Sequence, residues 1–197
     1  MIDRNLLVGL HGKTLFYPCC GKDLTLPIEL FASAISDFCF ADKRPPWARR
    51  IRDAIPSTVE KVTGNAYRDI NSGNIFLFNY YWQDAREVLK ELPQLGVFFH
   101  RGDGLATEKG VSSGIPWLGE EYLGQILSKL VPGGFVVTDG SNCPQDGPFQ
   151  LKRYYDTKEE EYAGTVFDEV FEYKGYTFSC LGNAGRRYGP TLIWQVN

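Results

Sequence analysis

The chain reads TLFYPCCGKD from Thr14 to Asp23. The first half of this stretch is apolar and stops at Pro18, which predicts a short buried strand followed by a tight loop. Thr25 and Pro27 then predict the start of a helix, with Thr25 as its capping residue. Apolar residues spaced three and four apart after Pro27 place one face of that helix in the core. The stretch therefore predicts a strand–loop–helix unit.

Similar apolar runs alternate with helical patterns along the rest of the chain. The predicted strands are Asp37–Asp42, Ile75–Trp82, Leu95–Phe99 and Phe135–Asp139, and the predicted helices are a short polar segment ending at Arg52, Asp84–Leu92 and Leu118–Leu130, the last terminated by Pro132-Gly133-Gly134. Strands that alternate with helices predict a mostly parallel sheet with helices on both faces. The predicted fold class is therefore α/β, a three-layer sandwich around a twisted, mostly parallel sheet, formed by a single domain over residues 1–197.

Two segments depart from this alternation. The predicted strands Tyr176–Leu181 and Thr191–Val196 are too close in sequence for a crossover helix between them, so the sheet is expected to end in a reversed, antiparallel hairpin. Thr58–Asn65 and Ile75–Trp82 are expected to pair as a second hairpin around a turn at residues 70–74. The remaining predictions are a mobile loop at Thr107–Gly114 and a helix at Thr157–Phe171.

The composition excludes several classes of protein. The 197 residues carry 21 Lys+Arg against 24 Asp+Glu, a formal net charge of −3, and 43% of them are hydrophobic. These values are typical of a globular chain with no general attraction to nucleic acid or to anionic membranes. No apolar run approaches the ~20 residues of a spanning helix. Neither a membrane nor nucleic acid is therefore expected as a partner.

The cysteines and histidines indicate the compartment and argue against a metal site. Five cysteines, an odd number, do not form a disulfide framework and indicate a reduced, intracellular protein. The N-terminus also lacks the apolar core of a secretory signal, so we expect a cytoplasmic location. His11 and His100 are the only histidines and no Cys-x-x-Cys pair is present, so no metal site is predicted.

Polar side chains follow the predicted strands at the points where the strands end. In open α/β sheets, ligands bind at this edge. After the first strand, Gly21 lets the backbone approach a ligand closely, and Asp42 ends the second strand 21 residues later. This spacing fits a carboxylate that accepts hydrogen bonds from the two hydroxyls of a ribose. A plain strand–helix turn with a solvated Asp42 explains these two residues equally well.

The motifs of the chain resemble those of the class I S-adenosylmethionine-dependent methyltransferases. Residues 17–23 are similar to the first motif of that family in its Pro-x-x-Gly form, and Asp42 matches the acid that holds the ribose. Gln83-Asp84-Ala85 resembles the motif whose aspartate contacts the edge of the adenine. Residues 130–135 are similar to the Leu-x-Pro-Gly-Gly that precedes the fifth strand, and the terminal hairpin resembles the reversed last strand of the family.

This resemblance implies S-adenosylmethionine as the cofactor and methyl transfer to a small molecule or a protein. The implied cofactor-binding residues are Pro18, Cys19, Cys20, Gly21, Asp23, Asp42 and Asp84. The first motif departs from the family at Tyr17, where an acid is usual, and at Asp23, where the last glycine would fall. Lys22 could pair with Asp23 or with the methionine carboxylate of the cofactor. These departures favour the alternative function, a catalytically inactive methyltransferase-like module for binding or interaction.

The candidate catalytic residues are His100 and Asp103, which follow the predicted strand Leu95–Phe99. His100 could act as a general base at the mouth of the site, or it could only hydrogen-bond the loop backbone. Asp103 could instead pair with Arg101 and stiffen the loop. No Asn/Asp-Pro-Pro-Tyr/Phe motif follows this strand, which argues against amino-directed DNA methylation.

A basic cluster surrounds Trp47. Its members are Lys43, Arg44, Arg49, Arg50 and Arg52. Cations grouped in this way either contact phosphates or form a solvated helix face, and the second meaning is the commoner one.

Overall fold

The computed structural model describes residues 2–43, 48–103, 113–149, 170–186 and 190–197. The chain forms two compact units, residues 1–99 and residues 100–197. Most of the predicted loop at Thr107–Gly114 and of the predicted helix at Thr157–Phe171 lies outside the described residues. The end of that helix was predicted wrongly, because Phe171 lies in a strand that pairs with its neighbour through alternating extended residues.

The first unit combines short helices with strands. Its described helices are α1 (Arg4–Leu7), extended by a 3-10 turn at Val8–Leu10, α2 (Thr25–Phe31), α3 (Ala48–Asp53) and α4 (Ala85–Glu91). Its described strands are β1 (Thr14–Pro18), β2 (Asp37–Ala41), β3 (Val59–Thr63), β4 (Ala66–Asp69), β5 (Ile75–Tyr81) and β6 (Leu95–His100), whose last residue begins the second unit.

These strands form the order β3-β4-β5-β2-β1-β6. Strand β1 pairs in parallel with β2 and with β6, and β2 pairs in parallel with β5. Strands β3 and β4 add an antiparallel ribbon at the β5 side. The predicted α/β fold class is confirmed, and the parallel part of this mixed sheet comprises β5, β2, β1 and β6.

The hairpin predicted between Thr58–Asn65 and Ile75–Trp82 has a different pairing. Strand β3 pairs with β4, which the sequence analysis missed, and β4 then pairs with β5. Gly64 has a φ of +52° and Thr63 lies opposite Ala66, so a two-residue turn closes the first hairpin. The turn predicted at residues 70–74 connects β4 to β5 instead.

Buried aromatic side chains form much of the core of the first unit. All five residues of β1 and all six of β6 are buried, as expected for parallel strands covered on both faces. Ring centroids lie 4.8 Å apart both for Phe38 with Phe76 and for Tyr17 with Phe99. Burying each such side chain contributes about 2 kcal/mol, so this core holds the ends of β1 and β2 in fixed positions.

The second unit contains one described helix and a group of antiparallel strands. These are α5 (Glu120–Lys129), β7 (Leu130–Thr138), β8 (Val170–Tyr173), β9 (Tyr176–Arg186) and β10 (Pro190–Val196). Their order is β7-β10-β9-β8, with β10 antiparallel to both of its neighbours. The reversed terminal hairpin is therefore confirmed. No described helix is long and apolar enough to cross a membrane.

The boundary between α5 and β7 differs from the prediction. The helix ends at Lys129, and Leu130 is already extended, so Pro132-Gly133-Gly134 lie inside the strand instead of terminating the helix. Pairing with β10 begins only at Gly134, opposite Val196. Pro132 therefore removes no hydrogen bond from this ladder, which explains why a strand tolerates it.

Thr25 also differs from its predicted role. Helix α2 begins at Thr25 with Leu24 in the capping position, and Leu24 has no side chain that can cap. The Thr25 hydroxyl instead donates to the carbonyl oxygen of Ala54 at 2.7 Å. The threonine thus connects α2 to the segment that follows α3.

Candidate functional site

The loop after β1 brings Gly21 and Asp42 together. The Cys19 amide donates to the carbonyl oxygen of Ala41, the last residue of β2, at 2.6 Å. The Gly21 amide then donates to Asp42 Oδ2 at 3.0 Å. Both Cys19 and Gly21 have a φ of +54°, which turns the chain sharply at the end of the strand. A carboxylate 21 residues away in sequence therefore lies directly beside the glycine of the loop.

Space beside Gly21 is open. A Cβ atom built on Gly21 meets no heavy atom within 4 Å. The loop is nevertheless fixed, because the Tyr80 hydroxyl donates to the Gly21 carbonyl oxygen at 2.8 Å. Asp42 is only half-buried. A fixed backbone next to an accessible carboxylate is an arrangement that can accept a ligand carrying hydroxyl groups.

The two departures from the first motif of the family interact with each other. Tyr17 is fully buried at the end of β1, and its hydroxyl donates to Asp23 Oδ2 at 2.8 Å. The phenol therefore connects the strand to the far end of the loop. We interpret Tyr17 and Asp23 as a matched pair that stabilises the loop at the two positions where the resembled motif has an acid and a glycine.

Pro18 and Cys20 contribute packing to this loop. Pro18 is buried and pairs with Ala41 in the parallel ladder of β1 with β2. Cys20, in the loop that follows, is also buried. Burial raises the pKa of the Cys20 thiol, a hydrogen bond with Tyr80 opposing this only in part. Burial likewise raises the pKa of Cys39 to about 12. Both thiols are protonated at neutral pH and are poor nucleophiles.

Asp84 caps a helix and holds two cations. Its carboxylate accepts from the Arg86 amide at 3.0 Å, which satisfies the first turn of α4. The same carboxylate lies 2.7 Å from Lys43 Nζ and 2.6 Å from an Arg86 guanidinium nitrogen. The hydrogen bonds from Arg86 in particular hold the pKa of Asp84 well below its usual range. Its contact with an adenine edge stays a prediction.

His100 lies in the interior of the second unit. Its side chain is 0% exposed, and its Nε2 is 3.6 Å from Asp103 Oδ2. The ring is therefore not exposed at the mouth of a site in this structure, and its role as a general base stays a prediction.

Asp103 is held by a set of loop donors. The Ser113 amide donates to Oδ1 at 2.9 Å, the Ser113 hydroxyl donates to Oδ2, and Asn142 Nδ2 donates to Oδ2 at 3.2 Å. Burial alone would raise the pKa of Asp103, but its interaction with His100, followed by the Ser113 donors, lowers it. The carboxylate is therefore a hydrogen-bond acceptor that stabilises the loop and a weak base.

Asp139 and Ser141 complete this arrangement after β7. Asp139 is fully buried, and it accepts from the Gly102 amide at 3.0 Å and the Ser141 amide at 2.9 Å. Ser141 Oγ in turn accepts from the Asp103 amide at 3.1 Å. The sequence indicated polar residues at this strand end without showing that they bind one another. The guanidinium of Arg101 donates to Thr191 Oγ1 at 3.3 Å.

Tyr80 is the site residue that sequence reasoning missed. It lies within the aromatic strand β5 and is followed by a second tyrosine, Tyr81, so no sequence pattern singles it out. The available indication was a polar hydroxyl near the end of the aromatic run, which Tyr80 shares with Tyr81. Its contact with Gly21 depends on the parallel register of β2 with β5.

Comparisons with known proteins give structural likenesses only. No family model matches the chain, and no curated protein matches it. A proposed methyltransferase of Streptococcus mutans in complex with S-adenosylhomocysteine is 11% identical, with 100% of this chain and 98% of that chain covered and a TM-score of 0.48. A proposed rRNA methylase of Clostridium thermocellum is 12% identical, with 95% and 89% covered and a TM-score of 0.49.

A third solved structure extends the same set. The precorrin-6y C5,15-methyltransferase of Geobacter metallireducens is 13% identical, with 98% of this chain and 86% of that chain covered and a TM-score of 0.43. These three TM-scores lie below 0.5, so the likenesses assign no function to this chain. The α/β class with a reversed final strand stands on the strand pairings of the chain itself.

Proposed function

We propose that the chain binds S-adenosylmethionine at the loop after β1 and transfers its methyl group to a small molecule or a protein. The observation that carries this proposal is the 3.0 Å hydrogen bond between the Gly21 amide and the Asp42 carboxylate, next to open space at Gly21. The half-buried carboxylate is placed to accept hydrogen bonds from both ribose hydroxyls of a nucleoside. The motif resemblance then favours S-adenosylmethionine among nucleoside cofactors.

The residues of the loop fit this cofactor in its ribose part. Gly21 leaves room for close approach, and the buried Tyr17–Asp23 contact and the Tyr80 hydroxyl keep the loop in place. When bound, the cofactor supplies an electrophilic methyl group. The protein then has mainly to hold the two reactants in line, which accounts for most of the acceleration in a direct displacement.

A second function, an inactive methyltransferase-like binding module, is favoured by one observation. The two candidate catalytic residues, His100 and Asp103, are both buried, and Asp103 accepts hydrogen bonds from Ser113 in its own unit. A chain that had lost catalysis would keep these side chains for stability alone. An acceptor that is already a nucleophile needs no protein base, so the burial of His100 leaves methyl transfer open.

Binding of S-adenosylhomocysteine to Asp42 variants tests the proposal. Asp42→Ala removes the acceptor of both ribose hydroxyls, so we expect a loss of about 1.5–3 kcal/mol, or roughly 10- to 100-fold in affinity, by titration calorimetry. Asp42→Asn keeps an oxygen for the Gly21 amide and removes the charge, so it should lose less. Asp42→Ala should cost only about 1 kcal/mol of unfolding free energy, for the hydrogen bond to Gly21.

Two results would contradict the proposal. Equal and measurable affinity for S-adenosylhomocysteine in wild type and both variants would show that Asp42 is a solvated loop residue. An unchanged melting temperature of the wild type at millimolar S-adenosylmethionine would favour the inactive module, because a ligand that binds only the folded state must raise that temperature.

A further inference from the structure

A cleft opens beside the loop after β1 within the first unit. Its volume is about 380 Å³, and it is lined by Lys22, Arg50, Asp53 and Ala54. Lys22 belongs to the loop that holds Gly21, and the other three belong to α3 and the residue after it. A volume of this size lies within the range of small-molecule sites, which is about 300–1,000 Å³.

The two walls of the cleft are held together. The Thr25 hydroxyl at the start of α2 donates to the Ala54 carbonyl oxygen at 2.7 Å, which fixes the end of α3 against the segment that follows the loop. Lys22 follows Gly21, whose amide and carbonyl are bound by Asp42 and Tyr80. The backbone positions from which the Lys22 and Arg50 side chains extend are therefore fixed on both sides.

The charges that line the cleft favour an anion. Lys22 and Arg50 are exposed, and within the described ranges neither has a carboxylate within 4.0 Å. Asp53, the single carboxylate of the lining, has its Oδ2 3.8 Å from Arg49 Nε, which offsets part of its charge. Two cations on separate elements that border one cavity form a typical recognition site for a phosphate or a carboxylate.

We infer that this cleft binds the anionic group of a small-molecule methyl acceptor. Lys22 and Arg50 bind the phosphate or carboxylate, and Asp53 accepts a hydrogen bond from a hydroxyl or amine of the same molecule. The identification of this small molecule as the methyl acceptor rests on the proposed function, whereas the anion site rests on the cleft alone. A small molecule fits better than nucleic acid, since Asp53 repels a continuous polyanion and the chain has a net charge of −3.

Titration calorimetry with inorganic phosphate and with citrate tests the site, because the two probes separate phosphate from carboxylate recognition. Arg50→Gln should lower the affinity for the preferred probe by roughly 5- to 10-fold. The expected loss is smaller than for a buried ion pair, because the Arg50 guanidinium is exposed. Arg52→Gln is the matched control, since it changes another exposed arginine of the same helix that lies outside the lining. We expect its affinity for both probes to equal that of the wild type.

Three results would overturn the inference. They are the absence of binding by either probe at millimolar concentration, equal weakening by both arginine variants, and tighter binding of a single-stranded RNA oligonucleotide with a salt dependence that requires several phosphate contacts. Adenosine separates this site from the proposed function. Asp42→Ala should weaken adenosine binding and leave the affinity for the anion probe unchanged. Arg50→Gln should weaken binding of the anion probe and leave the affinity for adenosine unchanged.

Discussion

The strand ends of the two units use the same kinds of side chain for different purposes. After β1, the Asp42 carboxylate is half-buried and lies beside open space at Gly21. After β6 and β7, Asp103 and Asp139 are buried and accept hydrogen bonds from their own loops. An aspartate at a strand end therefore indicates a ligand site only where its carboxylate stays accessible.

The difference follows from the cost of burying charge. A carboxylate removed from water is stable only if donors surround it, and Asp103 has donors from Ser113 and Asn142. These donors are supplied by the loops themselves. A ligand site requires a carboxylate that stays accessible, as the half-buried Asp42 does beside its Gly21 donor, because the further donors must come from the ligand.

Asp103→Asn should have the largest effect on stability. The new amide group would direct N–H atoms toward Ser113 or Asn142, which are themselves donors, and leave buried polar groups unpaired. We expect a loss of about 3 kcal/mol of unfolding free energy by chemical denaturation, with affinity for S-adenosylhomocysteine unchanged.

Asp146→Asn is the control for this variant. Asp146 is exposed in the same unit, and the only described hydrogen bond of its side chain is a 3.4 Å contact with the Glu120 amide. Its substitution should therefore change stability by less than about 0.5 kcal/mol. If Asp103→Asn were as stable as Asp146→Asn, the buried network would not hold the loops. If Asp103→Asn abolished nucleoside binding in a fully folded protein, the contrast between the two strand ends would be wrong.

Much of the fold could be predicted from local sequence patterns. The apolar runs of β1, β2 and β6 and the amphipathic pattern of α5 follow directly from periodicity. Strand β4 was missed because Ala66–Asp69 is short and mixed in polarity, and only its pairing with β3 and β5 makes it a strand. Pairing over long sequence distances is not contained in a local pattern.

The candidate site could likewise be predicted only where local sequence signals place its residues. The positions of Gly21 and Asp42 could be inferred, since strand ends in a parallel sheet lie at one edge. The burial of His100 could not, because the apolar run that predicts this strand ends at Phe99 and does not indicate that the next, polar residue is also buried. The contacts Tyr17–Asp23 and Tyr80–Gly21 join residues that no spacing rule connects.

Substitutions at Gly21 should have an intermediate effect and sharpen the comparison at the open strand end. Valine at a φ of +54° is strained, and we expect Gly21→Val to cost about 1–2 kcal/mol of unfolding free energy. Gly21→Asn should cost less, because asparagine adopts positive φ more readily. Both side chains occupy the open space, so both variants should bind S-adenosylhomocysteine more weakly than the wild type, as measured by calorimetry. Wild-type affinity in Gly21→Asn would show that the ligand does not use this space.

Asp84 should show the smallest effect, and its pH dependence identifies the cause. Asparagine also caps helices, so Asp84→Asn keeps the cap of α4 and removes only the attraction to Lys43 and Arg86. The side chains of Lys43 and Arg86 are 60% and 42% exposed, so solvent screens both pairs and we expect a loss of about 0.5 kcal/mol at pH 7. Because folding lowers the pKa of Asp84, its contribution is complete above the ordinary carboxyl pKa, near 4, and is lost as the pH falls below it.

Denaturation of wild type and Asp84→Asn across this pH range should therefore give two stability curves that converge in acid. Parallel curves down to the lowest pH would mean that the ion pairs contribute nothing and that the cap alone matters. Adenosine titration adds a second measurement, since the motif resemblance assigns Asp84 to the adenine edge. If Asp84→Asn weakens adenosine while Asp84 still pairs with Lys43 and Arg86 in the free wild-type protein, these ion pairs must open on binding. The Asp84 carboxylate would then belong to the open strand end with Asp42, although it is as well satisfied in the free protein as Asp103.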